Sequence, residues 1–243
     1  MIWFALILSK INVSDDIAAA AKDVDLLSES ITEDPKIKGL VFSAFNKVCP
    51  AHTIFMTNTS TLLPSQYAAE TGRASKFAAF HFHNPVWIAN VVDIMPHAGT
   101  DPDILKNLHD FAISIGQIPV LIQKESNGYI FNAILDGILR SSLELAANDV
   151  ASVYDIDRAW MGITKMDAGP FGVMDIIGID LIYNILKKST KWVFFLPQVR
   201  RAVNFLNPYI EKGWFGRKSN RGFYAYPDPA FEAADFIEKG VQE

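Results

Sequence analysis

Cysteine is almost missing from this chain: Cys49 stands alone among 243 residues, so no internal disulfide can form, which fits a reducing, cytoplasmic setting. Glycine is scarce at the start. None precedes Gly39 and no Gly-x-Gly-x-x-Gly occurs anywhere, so the chain holds no turn of the kind that cradles a dinucleotide pyrophosphate on backbone N–H groups. Positive charge is not in excess. With 22 Lys and Arg against 27 Asp and Glu the net charge is −5, which gives no basic footprint for nucleic acid. Long apolar runs are also absent. The opening stretch Met1 to Leu8 is far shorter than the roughly 20 residues that span a bilayer. It has no basic region before it, and Ser9-Lys10 is no small-residue cleavage site. No membrane segment is expected, and the run reads as a strand or helix end left where a domain is cut.

What is present suits an ordinary globular protein, with half of the residues apolar and a fifth charged. The length allows one large or two modest domains. Strand patterns fall at Val24–Ser30, Thr53–Thr57, Phe77–Phe82, Val91–Met95 and Pro119–Gln123. Between them lie helical patterns at Asp15–Lys22 with Ser14 as cap, from Pro35 to before Pro50, at Leu63–Glu70 closing at Gly72, and at Asp101–Ile115. Such alternation predicts a mostly parallel sheet covered by helices. After Lys124-Glu125-Ser126-Asn127-Gly128 the pattern becomes helical throughout, over Ile130–Asn148, Asp155–Gly162, Phe171–Leu186 and Val199–Lys212. The boundary is therefore placed near Ser126, giving an α/β domain over 1–125 and an all-α domain over 126–243.

Polar groups stand at the ends of several apolar runs. Thr57-Asn58-Thr59-Ser60 is followed, 21 residues after Ser60, by His81-Phe82-His83-Asn84-Pro85, and Asp93 lies 12 residues beyond His81. Asn132 follows Asn127-Gly128-Tyr129-Ile130-Phe131. A hydroxyl, an imidazole, a carboxylate and an amide are the parts needed to take a proton from an alcohol, and histidine has the ordinary pKa for it near neutrality. Each also has a plainer reading. A lone His81 on an apolar strand is usually a satisfied core residue, while Asp93 also reads as an exposed charge on an edge strand, Ser60 as a helix cap and Asn132 as a satisfied polar group. His83 falls on the same face as His81 at period two and reads as lining a cleft without doing chemistry. No residue is assigned to a metal.

In order and spacing these residues resemble the L-3-hydroxyacyl-CoA dehydrogenase family, and Thr61-Leu62-Leu63-Pro64-Ser65 looks most like its diketoreductase and short-chain 3-hydroxybutyryl-CoA branch. The likeness runs from about Ser14 to about Pro229. It implies a Rossmann-type domain followed by a helical domain that forms a homodimer. It also implies NAD as cofactor and a 3-hydroxyacyl-CoA, or related 3-hydroxy or dicarbonyl acid, as small-molecule substrate. By the same resemblance His81 is the base, Asp93 its carboxylate partner where the family carries glutamate, and Ser60 and Asn132 hold the reacting oxygen. Glu33, Lys38, Ser60, Asn84 and Lys218 are carried over as cofactor contacts. Ala133 stands where the family has a basic residue, and Asn127 where it has proline before glycine.

The stretch Gly169-Pro170-Phe171-Gly172-Val173-Met174-Asp175 resembles the helical-domain signature, as does Asn220-Arg221-Gly222-Phe223-Tyr224; Phe171, Ile176 and Ile179 are expected to supply core. Trp192-Val193-Phe194-Phe195-Leu196 is read as core or interface. Family members begin with the glycine turn this chain lacks, so the chain is read as starting inside the first domain. Two functions stay open: the NAD-dependent oxidoreductase, or a non-catalytic remnant that keeps the helical dimerising domain. Structural use of the fold, as in lambda-crystallin, is a third.

Overall fold

The computed structural model describes residues 8–188 and 196–238, which divide into two compact units, 1–133 and 134–243. The apolar opening at 1–7 and residues 192–195 of the aromatic run lie outside the described residues. The division falls between Ala133 and Ile134, past the change of pattern at Ser126.

The first unit is built on a sheet of β1 (Leu26–Glu29), β2 (Ile54–Thr57), β3 (Phe77–Phe82), β4 (Val91–Pro96) and β5 (Ile118–Leu121), adjacent in that order. Pairs β1–β2, β2–β3 and β4–β5 are parallel, and only β3–β4 is antiparallel. Parallel neighbours need a crossover. Helix α2 (Pro35–Asn46) supplies one between β1 and β2, and α3 (Pro102–Ser114) another between β4 and β5. Both start on the same signal: Asp34 accepts from the amides of Lys36 and Ile37, Asp101 from that of Asp103, and a proline follows each cap. Helix α1 (Ile17–Ala21) is shorter than its pattern suggests because Asp16, not Ser14, caps it. Leu63–Glu70 is not an α-helix. It forms two 3₁₀ turns, Pro64–Gln66 and Ala69–Thr71, because Gln66 reaches back to the Leu63 amide and the first turn closes on itself. Strands β2 and β3 are almost wholly buried, with Phe55, Phe77 and Phe80 in the core.

The second unit contains most of α4 (Phe131–Ala147), then α5 (Val153–Thr164), α6 (Pro170–Ile177), α7 (Ile179–Lys188) and α8 (Pro197–Glu211). The continuous pattern over 171–186 is two helices, broken where Gly178 takes φ 106°. Its core gathers Leu143, Phe171, Met174, Ile179, Leu206 and Tyr224. Ile176, expected inside, is 56% exposed because α6 turns that face to solvent.

Two buried carboxylates pin this unit. Asp157 accepts from the Phe171 and Gly172 amides at the start of α6 and from the Tyr224 hydroxyl, each at 2.9 Å. It thereby satisfies amides that a helix start leaves without partners. Burial pushes its carboxyl up to about 6, while those three donors pull the other way. Asp175 accepts from the Phe223 and Tyr224 amides at 3.0 Å and the Tyr226 hydroxyl at 3.1 Å. The signature glycines follow from this packing. A Cβ on Gly169 would stand 2.3 Å from the Asp157 carboxyl carbon, and one on Gly222 2.0 Å from an Asp175 oxygen.

Candidate active site

The segment Thr57-Asn58-Thr59-Ser60 leaves the end of β2, and each residue in it has its own anchor. The Thr57 hydroxyl donates to Glu29 Oε2 at 2.7 Å, and Asn58 Oδ1 accepts from the Phe82 amide at 2.9 Å. The Thr59 hydroxyl donates to Glu33 Oε2 at 2.5 Å and accepts from the Leu62 amide at 3.0 Å. Glu33 Oε1 takes the Ser60 amide at 3.3 Å. The backbone around Ser60 is thus tied to β1, β3 and the segment before α2. Its hydroxyl is left facing His81, with Oγ 3.1 Å from Nε2.

His81 pairs directly with Asp93 in the β3–β4 ladder, so both side chains emerge on one face of the sheet. Both are buried, and Asp93 lies on an interior strand, which removes the reading of it as an exposed edge charge. Asp93 Oδ2 lies 3.5 Å from His81 Nδ1 but 3.0 Å from His83 Nε2. A carboxylate only accepts, so in a neutral His81 the proton that satisfies this contact sits on Nδ1. Nε2 then presents its lone pair to the Ser60 hydroxyl. The Tyr129 ring covers His81 at 4.9 Å between centroids, and Phe131 meets His83 edge-on at 5.7 Å. Tyr129 is buried with its hydroxyl lacking a hydrogen-bond partner, and burial pushes its phenol well above the usual range.

Serine, histidine and aspartate thus stand in line on a Rossmann-like sheet. The model of the 3-hydroxyacyl-CoA dehydrogenase NAD binding domain matches residues 4–126, and that of the same enzyme's C-terminal domain matches 128–226. The chain belongs to the 3-hydroxyacyl-CoA dehydrogenase family. Among this family's members, the mitochondrial hydroxyacyl-coenzyme A dehydrogenase of Sus scrofa is 32% identical over 223 residues, covering 90% of this chain and 69% of that protein. The 3-hydroxybutyryl-CoA dehydrogenase of Clostridioides difficile is 31% identical over 84% of this chain and 72% of its own length. A solved diketoreductase, described for dual catalysis of dicarbonyl compounds, superposes with a TM-score of 0.83 at 38% identity, over 91% of this chain and 77% of its own. The family's members are NAD-dependent dehydrogenases.

The remaining family positions fall as follows. Glu33, Ser60 and Asn84 follow the carboxyl ends of β1, β2 and β3, three parallel strands, and so share the sheet edge where open α/β sheets bind ligands. Glu33 and Asn84 are exposed there. Lys38 is fully buried and points inward: its ammonium donates to Glu29 at 2.7 Å and to the Ile31 carbonyl at 3.2 Å. Asn132 is half-buried in the first turn of α4. Lys218, in the second unit, is engaged with Asp180 at 2.6 Å. Sequence reasoning missed three participants. Glu29 joins Lys38 to Thr57, the Tyr129 ring packs at a tilt against His81, and His83 is the nearer partner of Asp93. Period two places His83 on the right face, but only the side-chain contact shows which carboxylate it meets.

Proposed function

We propose that this chain interconverts a 3-hydroxyacyl-CoA, or a related 3-hydroxy or dicarbonyl acid, and its 3-keto form, with His81 as the general acid and base. The observation that carries this is the contact of Ser60 Oγ with His81 Nε2, set against Asp93 on the opposite ring nitrogen. In oxidation the substrate hydroxyl replaces the lone-pair contact at Nε2, and His81 takes its proton. Asp93 then faces an imidazolium and stabilises it, as the acid of a catalytic triad does. Ser60, and Asn132 from the start of α4, hold the reacting oxygen so that the C3–H bond is presented in one direction. In reduction the same proton returns from Nε2 to the ketone oxygen.

NAD, when bound, supplies the hydride acceptor. The exposed carboxylate of Glu33 and the amide of Asn84, at the carboxyl edge of the parallel strands, fit the hydroxyls and carboxamide of its nicotinamide half. Lys38 is read as a support from beneath, through Glu29 and Ile31, and Lys218 as a further cofactor contact. The helical unit is read as the homodimer surface. An open apolar groove between α4 and α5, lined by Ile134, Ile138, Leu145, Trp160 and Ile163, supports a second copy of the chain as its cover. The buried, unpaired Cys49 agrees with a cytoplasmic setting.

Turnover of a short 3-ketoacyl-CoA with NADH tests this reading. His81→Gln is expected to lower turnover by roughly 10²–10⁴ with KM changed much less, since the imidazole acts as the proton moves. Turnover indifferent to His81→Gln would return His81 to the core of a strand.

A further inference from the structure

We propose that His81, His83 and Asp93 form a binding site for a divalent transition metal of the zinc class, and that an ion bound there silences His81. One ligand atom from each of the three lies within 4.8 Å of the other two. Two of the separations run through Asp93 Oδ2: 3.5 Å to His81 Nδ1 and 3.0 Å to His83 Nε2. Ligands about 2.0–2.1 Å from a tetrahedral zinc stand roughly 3.3–3.4 Å apart. Both contacts bracket that spacing, and the two imidazoles need close by no more than about 1.5 Å to complete it.

The backbone holds the set ready. His81 and Asp93 are cross-strand partners, and His83, just past the end of β3, brings its ring to the same carboxylate. Two imidazoles and one carboxylate suit zinc, cobalt or iron(II) and not magnesium or calcium, which prefer oxygen ligands throughout. With both rings neutral the set carries one negative charge in a buried place, which favours a divalent cation. The outer contact is in position too: with Nδ1 on the ion, Nε2–H donates to Ser60 Oγ at the present 3.1 Å. His83 is the half-buried member and gives the ion its way in.

The effect on chemistry follows from counting protons, and this step rests on the proposed dehydrogenase reaction. A metal at Nδ1 takes that nitrogen's lone pair, so the single proton of the neutral ring is carried by Nε2 instead and none is released. That proton then sits on the nitrogen that faces Ser60. His81 can no longer accept a proton there, and Asp93 is drawn into the coordination shell. The metal-free form is the working one, and a transition metal is an inhibitor.

The protein without a histidine tag, treated with chelator and then dialysed, is titrated with Co(II) and followed by visible absorption, and with Zn(II) followed by calorimetry. One equivalent is expected to bind with the bands of a low-coordinate cobalt site. His83→Phe keeps a ring against Phe131, and His83→Gln is a smaller second choice should the first fail to fold. Loss of an outer-shell partner alone costs ~10–100-fold in metal affinity, so loss of a ligand is expected to cost at least that. The exposed pairs His52–Asp25 and His109–Asp110 stay intact in both variants and serve as internal controls. No binding by the parent protein, or binding unchanged in both variants, overturns the proposal. Zinc is expected to inhibit turnover in the parent and not in the variants, reversibly with chelator. A cobalt spectrum without any turnover keeps the site and rejects the dehydrogenase reading; turnover without a spectrum does the reverse.

Discussion

Both units bury carboxylates, yet they satisfy them in different ways. In the helical unit Asp157 and Asp175 each accept two backbone amides and one tyrosine hydroxyl. In the sheet unit Asp93 meets two imidazoles, and Glu29 meets a lysine, a threonine and one amide. An amide N–H is fixed by the fold and can only donate. An imidazole nitrogen donates or accepts according to its protonation. The first arrangement locks a structure, and the second leaves room for a proton to move. Residue type alone does not separate them.

The largest expected effect falls on the exception inside the sheet unit. Lys38 is a side-chain donor that cannot become an acceptor, and its pair with Glu29 is buried at 2.7 Å. Lys38→Met strands the Glu29 charge and should cost about 3–5 kcal/mol in urea unfolding. A cost below 1 kcal/mol would mean the pair is not buried in solution. Next comes Asp157→Asn, compared with the parent at pH 8, where the carboxyl is ionised. The new amide must aim hydrogens at a donor, so a loss of about 1–3 kcal/mol is expected. Asp93→Asn should cost less than about 1 kcal/mol, because His81 or His83 can turn an acceptor nitrogen toward the new amide. Turnover should nevertheless fall. If Asp93→Asn destabilised the fold as much as Asp157→Asn, the distinction between fixed and adaptable donors would collapse. The smallest effect is a gain. Tyr129→Phe removes a buried hydroxyl that has no partner, and should raise stability by up to about 1 kcal/mol. A loss of that size would show that the hydroxyl is satisfied.

Sequence reading reached the α/β and all-α halves and most element positions, because period-two and helical patterns, proline starts and acidic caps are local signals. It failed where a contact between distant residues decides the local form. Leu63–Glu70 has helical composition, but Gln66 folds back on Leu63 and breaks it into turns. The stretch around Gly178 reads as one helix until the backbone angle is known. Of the site, Ser60, His81 and Asp93 were visible through spacing that matches a family. Tyr129, Glu29 and the hold of His83 on Asp93 were not, since they depend on strand register and on what lies across the sheet. The pinning roles of Asp157 and Asp175 were hidden for the same reason: nothing in a lone aspartate announces that two amides from a distant segment will close on it.

The antiparallel step from β3 to β4 has a consequence for change over time. His81 and Asp93 are matched across the ladder, so their separation is set by two strands and not by the segment joining them. A slip of one residue in either strand would send one of the two to the opposite face. Adding or deleting residues between Asn84 and Asn90 leaves the match untouched. That segment carries Trp87 and Ile88 into solvent, at 83% and 73% exposure. Here the chain can be lengthened, shortened or rewritten while the His81–Asp93 pair stays as it is.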